Sequence, residues 1–426
     1  MNSTDSLQGP SVGLNRGWIV TLAGLGINLA LGSIYSWSVI RKAIPDDWAW
    51  SDKEKALPYS VALLLFSFMM VPAGRLQDRI GPRWVATFGG LLLGLGLVLC
   101  SLSTQSWAYV VGFGLLGGSG IGFAYACCTP AAVKWFPAAK TGMIAGIVVS
   151  GFGLAAVYSA PLIRWLIGQA GVQQTLLILG IAFSLVVVFL AQLLQTPPPG
   201  YAPGRSMTSA GKSISPATAS GPAQRDYSPS EILKTWQFYL LWLMYAVGAG
   251  AGLMVISNLA DFAKKELQLE LGHVLVAALA LGNGIGRIIT GSLSDLIGRR
   301  ATLLLCFVLQ MCLMLLLAQA SPGGFLSDGL IMAAASALVG ANFGANLALF
   351  PAVTKDYYGL KHFGANYGMM FTAYGVGGFG LSLLAGWLYD LFKTYTYSCY
   401  VAAGLLLLAV LLTLVVRPPK TTSQAA

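Results

Sequence analysis

The sequence has few charged side chains, and this scarcity argues against a soluble fold. Only 9% of its 426 residues are Asp, Glu, Lys or Arg, whereas 56% are hydrophobic. Soluble domains carry about a quarter charged residues. Apolar runs of about 20 residues recur along the chain, and this is the length that a helix needs to cross a bilayer. The composition therefore predicts an all-α membrane protein that crosses the lipid bilayer many times.

Metal-ligand and catalytic patterns are also missing. The chain has two histidines and six cysteines, and none of them has the spacing of a metal site. A membrane enzyme would need a general base or a nucleophile within the apolar core, and the core of the predicted spans contains no acid and no histidine. We therefore expect no metal, no cofactor and no enzymatic activity.

Twelve apolar runs predict twelve transmembrane helices in two groups of six. Between the groups, residues 195–230 are rich in Pro, Gly, Ser and Ala, a composition typical of a disordered linker. We predict an N-terminal six-helix half (1–194), a disordered cytoplasmic linker (195–232) and a C-terminal six-helix half (233–426). The predicted spans are 17–40, 57–77, 83–103, 106–130, 139–163, 172–194, 236–259, 272–295, 300–320, 325–351, 363–389 and 396–416.

Basic residues set the expected orientation. With both termini inside, 16 of the 25 Lys and Arg residues fall in inner segments and eight in outer segments. Six acidic residues lie inside and nine outside. The net charge of +10 then reflects topology and attraction to the inner leaflet, and not nucleic-acid binding. We expect a multi-pass protein of the cell inner membrane with both termini in the cytoplasm.

An internal repeat relates the two halves. Gly74-Arg-Leu-Gln-Asp78-Arg-Ile-Gly-Pro-Arg83 follows the second span, and Gly291-Ser-Leu-Ser-Asp295-Leu-Ile-Gly-Arg-Arg300 follows the eighth. A weaker echo pairs Lys134 with Lys355. Two similar halves predict a central cavity near the middle of the membrane.

Arg287 is the exception to the charge pattern. It lies within the eighth span, about 12 Å from the inner end of that helix at ~1.5 Å per residue. Every Asp and Glu lies in a loop or at a span end, so no carboxylate partner is expected at its depth. A buried, unpaired cation is costly, and a carboxylate substrate held by the planar guanidinium would offset that cost. We predict that Arg287 binds an anionic substrate; the alternative is a structural arginine bonded to backbone carbonyls.

The paired G-x-L-x-D-x-x-G-x-R loops on twelve spans resemble the major facilitator superfamily. Within it, the chain resembles the monocarboxylate transporters and the oxalate–formate antiporters. That finer resemblance rests on the segment from Lys134 to Gly146, on Tyr35-Ser-Trp37, on Leu349-Phe-Pro351, on Asn366-Tyr-Gly368 and on Arg287 itself. It implies two pseudo-symmetric six-helix halves around a central cavity.

The resemblance also implies a substrate class. Relatives carry a second cation near Val39 or Tyr374, where this chain has none, and a single cation suits a monocarboxylate better than a dicarboxylate. Asn283, one turn before Arg287, stands where animal monocarboxylate transporters often carry a proton-linked Asp. It is expected to contact the substrate or to orient Arg287. An aromatic cage is implied at Tyr35, Tyr125, Phe343 and Phe371, with Tyr374 as a further hydrogen-bond donor.

The repeated loops are expected to form a gate by the same resemblance. An Asp at this turn can cap a helix N-terminus and pair with nearby arginines. Such contacts would hold the halves together on the cytoplasmic side. The predicted gating residues are Asp78, Arg79, Arg83, Asp295, Arg299 and Arg300.

We therefore expect a monomeric carrier of lactate-like or pyruvate-like acids that works by alternating access with proton coupling. An oxalate/formate-type anion antiporter is the alternative, because no acid stands in the core. A drug or sugar carrier on the same fold would require acids, Gln or Asn where this core has a lone cation. A receptor or sensor would be expected to carry an extra folded domain.

Overall fold

The described part of the computed structural model comprises residues 12–198, Tyr201 and residues 225–419, and its regular elements are helices. The long apolar helices confirm the predicted all-α membrane fold. We number them α1 to α12. Their bounds are Arg16–Lys42 (α1), Asp52–Ile80 (α2), Pro82–Ser101 (α3), Ser106–Val133 (α4), 141–170 (α5), 172–191 (α6), Trp236–Leu267 (α7), Gly272–Ile297 (α8), Arg299–Leu317 (α9), Gly329–Tyr358 (α10), Phe363–Phe392 (α11) and Thr396–Val415 (α12).

Two of the helices run on without a loop between them. Residues 141–191 are continuous except at Gly171, whose φ of 77° and ψ of 176° break the helix. A positive φ is readily adopted by glycine because it has no Cβ. The break separates α5 from α6, so eleven long helical segments correspond to the twelve predicted crossings.

The repeated loop forms the same turn in both halves. α2 ends at Gly81 with φ 90° and ψ 161°, and α8 ends at Gly298 with φ 90° and ψ 154°. Because these backbone angles favour glycine, the last glycine of the repeat has a structural reason. Below, the ends of the helices near these turns, which were predicted to be cytoplasmic, are called inner ends.

The two halves meet along two helix pairs, α5 with α8 and α2 with α11. A methyl group at Gly142 would overlap the carbonyl oxygen of Gly291, and one at Gly74 would overlap that of Gly364. Small residues let helix backbones approach closely within a membrane. The close approach of both pairs positions the gate and the central site described below.

The predicted disordered linker (195–232) differs from the structure at both ends. At its N-terminal end, Gln195 and Tyr201 are hydrogen-bonded to Trp135. Residues 199–200 and 202–224 lie outside the described residues. Residues 225–232 are ordered and include a short helix, Pro229–Ile232. The backbone N–H and the Oγ of Ser228 both donate to Glu231 Oε2, at 2.8 Å each. Such local capping bonds order a polar segment that composition alone assigns to a linker.

Candidate functional site

Arg287 lies at the point where α5, α8 and α10 meet. Its side chain is 0% exposed. Its Nε donates to Asn283 Oδ1 at 3.1 Å, and its Nη1 donates to the backbone carbonyl of Val149 on α5. Nη2 makes no hydrogen bond of regular geometry with a described residue. The Asn283 side chain therefore holds one edge of the guanidinium, and no carboxylate of the described chain pairs with Arg287.

Glycines make the room for this guanidinium. A Cβ at Gly153 would stand 3.1 Å from Arg287 Nε, and one at Gly344 would stand 3.0 Å from Arg287 Cγ. Gly146 packs directly on the carbonyl oxygen of Arg287. Two of these glycines belong to α5, in the other half of the molecule. The contribution of α5 was not predicted from the sequence, because glycine is common in membrane helices and carries no chemical signal.

The predicted aromatic residues form one cluster beside Arg287. The hydroxyls of Tyr35 and Tyr374 are 2.9 Å apart and join the two halves. Tyr374 stacks on Phe371 with ring centroids 4.9 Å apart and lies 6.3 Å from Phe343. Tyr125 lies 5.4 Å from Phe371. The Tyr35 hydroxyl is an electrostatic neighbour of the Arg287 guanidinium. The structure thus brings together all seven predicted substrate-binding residues.

Other buried aromatics complete the cluster, and they were missed. Phe66 on α2 lies 5.1 Å from Phe371, and Phe152 on α5 lies 5.2 Å from Tyr35, measured between ring centroids. In a sequence with 19 phenylalanines, nothing local distinguishes these two from lipid-facing residues.

A set of three buried hydroxyls lies on the inner side of this cluster. Tyr125, Tyr245 and Tyr367 surround Phe371, with ring centroids 5.4, 6.0 and 5.7 Å from it. The Tyr367 hydroxyl neighbours those of Tyr125 and Tyr245. None of the three makes a hydrogen bond of regular geometry with a described residue. Buried polar atoms normally have partners, and the neighbouring polar groups here are the other hydroxyls of the same set.

A symmetric set of hydrogen bonds joins the two halves at their inner ends. Asp295 on α8 accepts hydrogen bonds from the N–H groups of Gly142 (2.9 Å) and Met143 (2.8 Å), at the start of α5. Asp78 on α2 accepts from Gly364 (3.3 Å) and Ala365 (2.9 Å), at the start of α11. Each carboxylate therefore caps a helix N-terminus of the opposite half, where the helix dipole favours negative charge. We call these four backbone bonds the inner gate.

The basic residues of the gate differ from the predicted set. Arg299 lies at the gate and pairs with Asp295 at 2.6 Å and with Asp356 at 2.8 Å. Arg79 and Arg83 are exposed instead. Arg300 is also misassigned, because its guanidinium donates to the carbonyls of Thr413 and Leu414 at the end of α12. An arginine beside a capping Asp in sequence can point to lipid headgroups or to another helix, and only packing decides which.

Two lysines of the weaker echo were missed as gate residues. Lys134 lies 3.8 Å from Asp78. Lys355 donates to Thr141 Oγ1 at 2.6 Å, which links α10 to the start of α5 in the other half. Burial lowers the pKa of Lys134, and the Asp78 carboxylate opposes that shift. The matching positions of the two lysines in the repeat were the signal that could have identified them.

Within the described ranges, no group of three or more His, Cys, Asp or Glu side chains is placed to hold a metal ion. The side chains that meet at this site are one guanidinium, aromatic rings and hydroxyls, a set that is chemically able to hold an anion.

The chain is similar in sequence to known membrane transporters. The Major Facilitator Superfamily model matches residues 20–276 and 241–426. The chain is 27% identical over 362 residues to the uncharacterized MFS-type transporter YhjX of Escherichia coli K12, covering 84% of this chain and 85% of that one. It is 25% identical over 369 residues to the oxalate:formate antiporter of Oxalobacter formigenes, covering 86% and 83%.

A further sequence relative and a solved structure are also similar to this chain. The chain is 27% identical over 365 residues to monocarboxylate transporter 12-B of Danio rerio, covering 81% and 75%. Among solved structures, the transporter FucP in its outward conformation matches with a TM-score of 0.69 at 16% identity, covering 95% of this chain and 99% of FucP. The predicted resemblance to the monocarboxylate and oxalate–formate group is confirmed.

Proposed function

The chain belongs to the major facilitator superfamily of membrane transporters, and we propose that it carries small monocarboxylates such as lactate or pyruvate by alternating access. In this scheme, the two six-helix halves rock about the site at Arg287, and the inner gate opens and closes in each cycle. The protein is a transporter and not an enzyme, like its relatives. The inner membrane, cytoplasmic termini and a monomeric working unit are parts of the proposal.

The unfilled Nη2 of Arg287 carries this proposal. A purely structural arginine satisfies its donors with carbonyls, as Arg300 does at the end of α12. Arg287 uses Nε and Nη1 in this way, but its fully buried Nη2 makes no hydrogen bond of regular geometry with a described residue. The Tyr35 hydroxyl lies beside the guanidinium and is neutral, so it leaves the charge unpaired. A substrate carboxylate would supply an acceptor to Nη2 and offset the buried charge. The apolar end of a small acid would then contact the rings of Phe371 and Phe343.

One cation in this cluster favours a monoanion. Tyr374, where antiporter relatives of the oxalate type are expected to carry a lysine, is held by the Tyr35 hydroxyl at 2.9 Å. It offers a hydroxyl and no charge. A dicarboxylate bound here would leave its second charge in an apolar, aromatic setting, which is unfavourable.

Coupling to protons is the family expectation, and anion exchange is the second candidate. The observation that favours exchange is the position of the acids. Asp78 and Asp295 lie at the inner gate. Within the described helices, neither carboxylate forms a hydrogen bond with Arg287. Under symport, the proton would travel on the substrate or through these gate residues.

Arg287→Gln in proteoliposomes tests the proposal, with Arg300→Gln as the matched control. We expect Arg287→Gln to weaken lactate binding by roughly 30-fold or more, since loss of one partner of a buried, hydrogen-bonded charge pair costs ~2 kcal/mol or more. Arg300→Gln should affect stability but not binding. Binding is read as ligand-dependent thermal stabilisation, and transport as uptake.

The same assay separates the two candidates. Lactate uptake that responds to an imposed pH gradient supports symport, and uptake that requires an internal anion supports exchange. Undiminished lactate uptake by Arg287→Gln would refute the assignment of the site. Oxalate bound as tightly as lactate would refute the argument from a single cation.

A further inference from the structure

Both ends of the central linker are bound to the turns that precede the gated helices. At the first end, Trp135 in the α4–α5 turn donates its indole N–H to the Gln195 carbonyl at 2.8 Å. The Tyr201 hydroxyl donates to the Trp135 carbonyl at 3.2 Å, and the two rings pack with centroids 5.3 Å apart. The α4–α5 turn leads directly into the N-terminus of α5, which receives Asp295.

The second end is bound in the α10–α11 turn by a carboxylate. Asp226 Oδ1 accepts hydrogen bonds from the backbone N–H groups of Leu360 (2.8 Å) and Lys361 (3.0 Å). Asp226 also packs on Gly359, where a Cβ would overlap the Asp226 carboxylate. The φ of Gly359 is 85°, which also favours glycine. This turn leads into the N-terminus of α11, which receives Asp78.

Tyr227 extends this attachment to α11 itself. Its backbone N–H donates to the Tyr358 carbonyl at 3.0 Å, and its carbonyl accepts from Asn366 Nδ2 at 2.9 Å. Asn366 is fully buried in the first turn of α11. It directly follows Ala365, the residue whose N–H donates to Asp78. The asparagine of the Asn366-Tyr-Gly368 motif therefore ties the linker to the gate.

We propose that the described ends of the central linker, at Gln195, Tyr201 and residues 226–227, position the inner gate. They hold the α4–α5 and α10–α11 turns so that the N-termini of α5 and α11 stay aligned with Asp295 and Asp78. A linker that only connected the two halves would not need the hydrogen bonds made by Asp226, Tyr201 and Asn366. The inference rests on the alternating-access part of the proposed function, and it does not depend on which solute is carried.

Distances across the inner face test this role without substrate. Nitroxide labels on Arg75→Cys and Leu296→Cys place one probe on each half, because both residues are exposed near the inner ends of α2 and α8. The background carries Cys312→Ser, since Cys312 is exposed while the other five cysteines are buried. Pulsed electron paramagnetic resonance then reports the closed and open populations.

We expect Asp226→Ala and Asn366→Ala each to shift the ratio of closed to open populations toward open by roughly tenfold, the effect of losing hydrogen bonds to a charged or buried group. Uptake should fall in the same variants. Asp328→Ala is the matched control. Asp328 Oδ1 also accepts from two backbone N–H groups, of Leu330 (2.8 Å) and Ile331 (3.0 Å), but at the outer end of α10.

Tyr201→Phe keeps the proposal testable if a larger change prevents folding, because it removes only the hydroxyl that bonds Trp135. It should shift the distances in the same direction by a smaller factor. Folded Asp226→Ala and Asn366→Ala proteins with wild-type distances would overturn the proposal, as would an equal shift in Asp328→Ala. Failure of the monocarboxylate assignment would appear only in the Arg287 assays, so the two failures are distinguishable.

Discussion

The two halves of this transporter have the same inner turns and different centres. Gly74 and Asp78 in the first half correspond to Gly291 and Asp295 in the second, and each aspartate caps a helix of the other half. At the same offset of 217 residues, the counterpart of Arg287 is Met70. Both positions are fully buried.

The packing around these two residues is also alike. Gly146 on α5 packs on the carbonyl oxygen of Arg287, and Gly368 on α11 packs on the carbonyl oxygen of Met70. The backbone frame is therefore repeated, while the side chain that it presents is a guanidinium in one half and a thioether in the other. Under the proposed function, the repeated frame serves the inner gate, which both halves open together. The difference in side chain serves recognition, since one carboxylate needs one cation.

Giving both halves the same residue at this position should have the largest effect on substrate binding. Arg287→Met places the residue of the first half into the frame of the second. We expect ligand-dependent stabilisation by lactate to disappear, while the melting temperature of the unliganded protein stays the same or rises, because replacing a buried charge with an apolar side chain is often neutral or stabilising. Thermal unfolding with and without lactate measures both. A melting temperature that collapses without ligand would indicate that Arg287 is structural.

Removing one capping charge at a time tests whether the two halves contribute equally to the inner gate. Asp78→Asn and Asp295→Asn each weaken charge-assisted bonds to two backbone N–H groups, and we expect each to open the inner side by roughly tenfold. Since the carboxylates lie on separate helix pairs, their effects should add in the double variant. The distance between labels on the inner face is the measurement. Opening by one variant alone would contradict a gate shared equally by the halves.

Loss of the Tyr374 hydroxyl, which bonds to Tyr35 in the other half, should reduce lactate affinity less. Tyr374→Phe removes the 2.9 Å bond to Tyr35, and a neutral hydrogen bond contributes about 1 kcal/mol. We expect lactate affinity to fall about fivefold. Tyr389→Phe is a suitable control, because Tyr389 lies on the same helix near its outer end and stacks on Tyr395. Equal effects of the two changes on affinity would place Tyr374 outside the site.

The smallest effects are expected for the exposed arginines of the first repeat. Arg79→Gln and Arg83→Gln should change the gate distances little, because surface charges contribute about 0–1 kcal/mol. Arg299→Gln should open the gate measurably, because it removes the 2.6 Å pair with Asp295. The same label pair reports all three variants. A large opening by Arg83→Gln would restore the gate role that its sequence position suggested.

Much of the site was predictable because membrane segments restrict the possibilities. Arg287 could be selected as a candidate site residue without a structure, since a charged residue within a membrane span is rare. The resemblance to a known family located Asn283 and the five aromatics, and the structure clusters them. The partners of Arg287 on α5 could not be predicted, since Val149 contributes only a carbonyl oxygen and Gly153 only space.

The sequence by itself determined the number of spans, the repeat and the isolation of Arg287. These properties depend on local hydrophobicity and on the position of charge along one chain, so each can be read residue by residue. Tertiary structure alone decided which arginine joins the gate, where the donors of Arg287 point and where the linker is attached. Those outcomes depend on contacts between helices far apart in sequence, such as Asp226 with Leu360 or Lys355 with Thr141. Their geometry is set by how closely the glycine-lined helices pack.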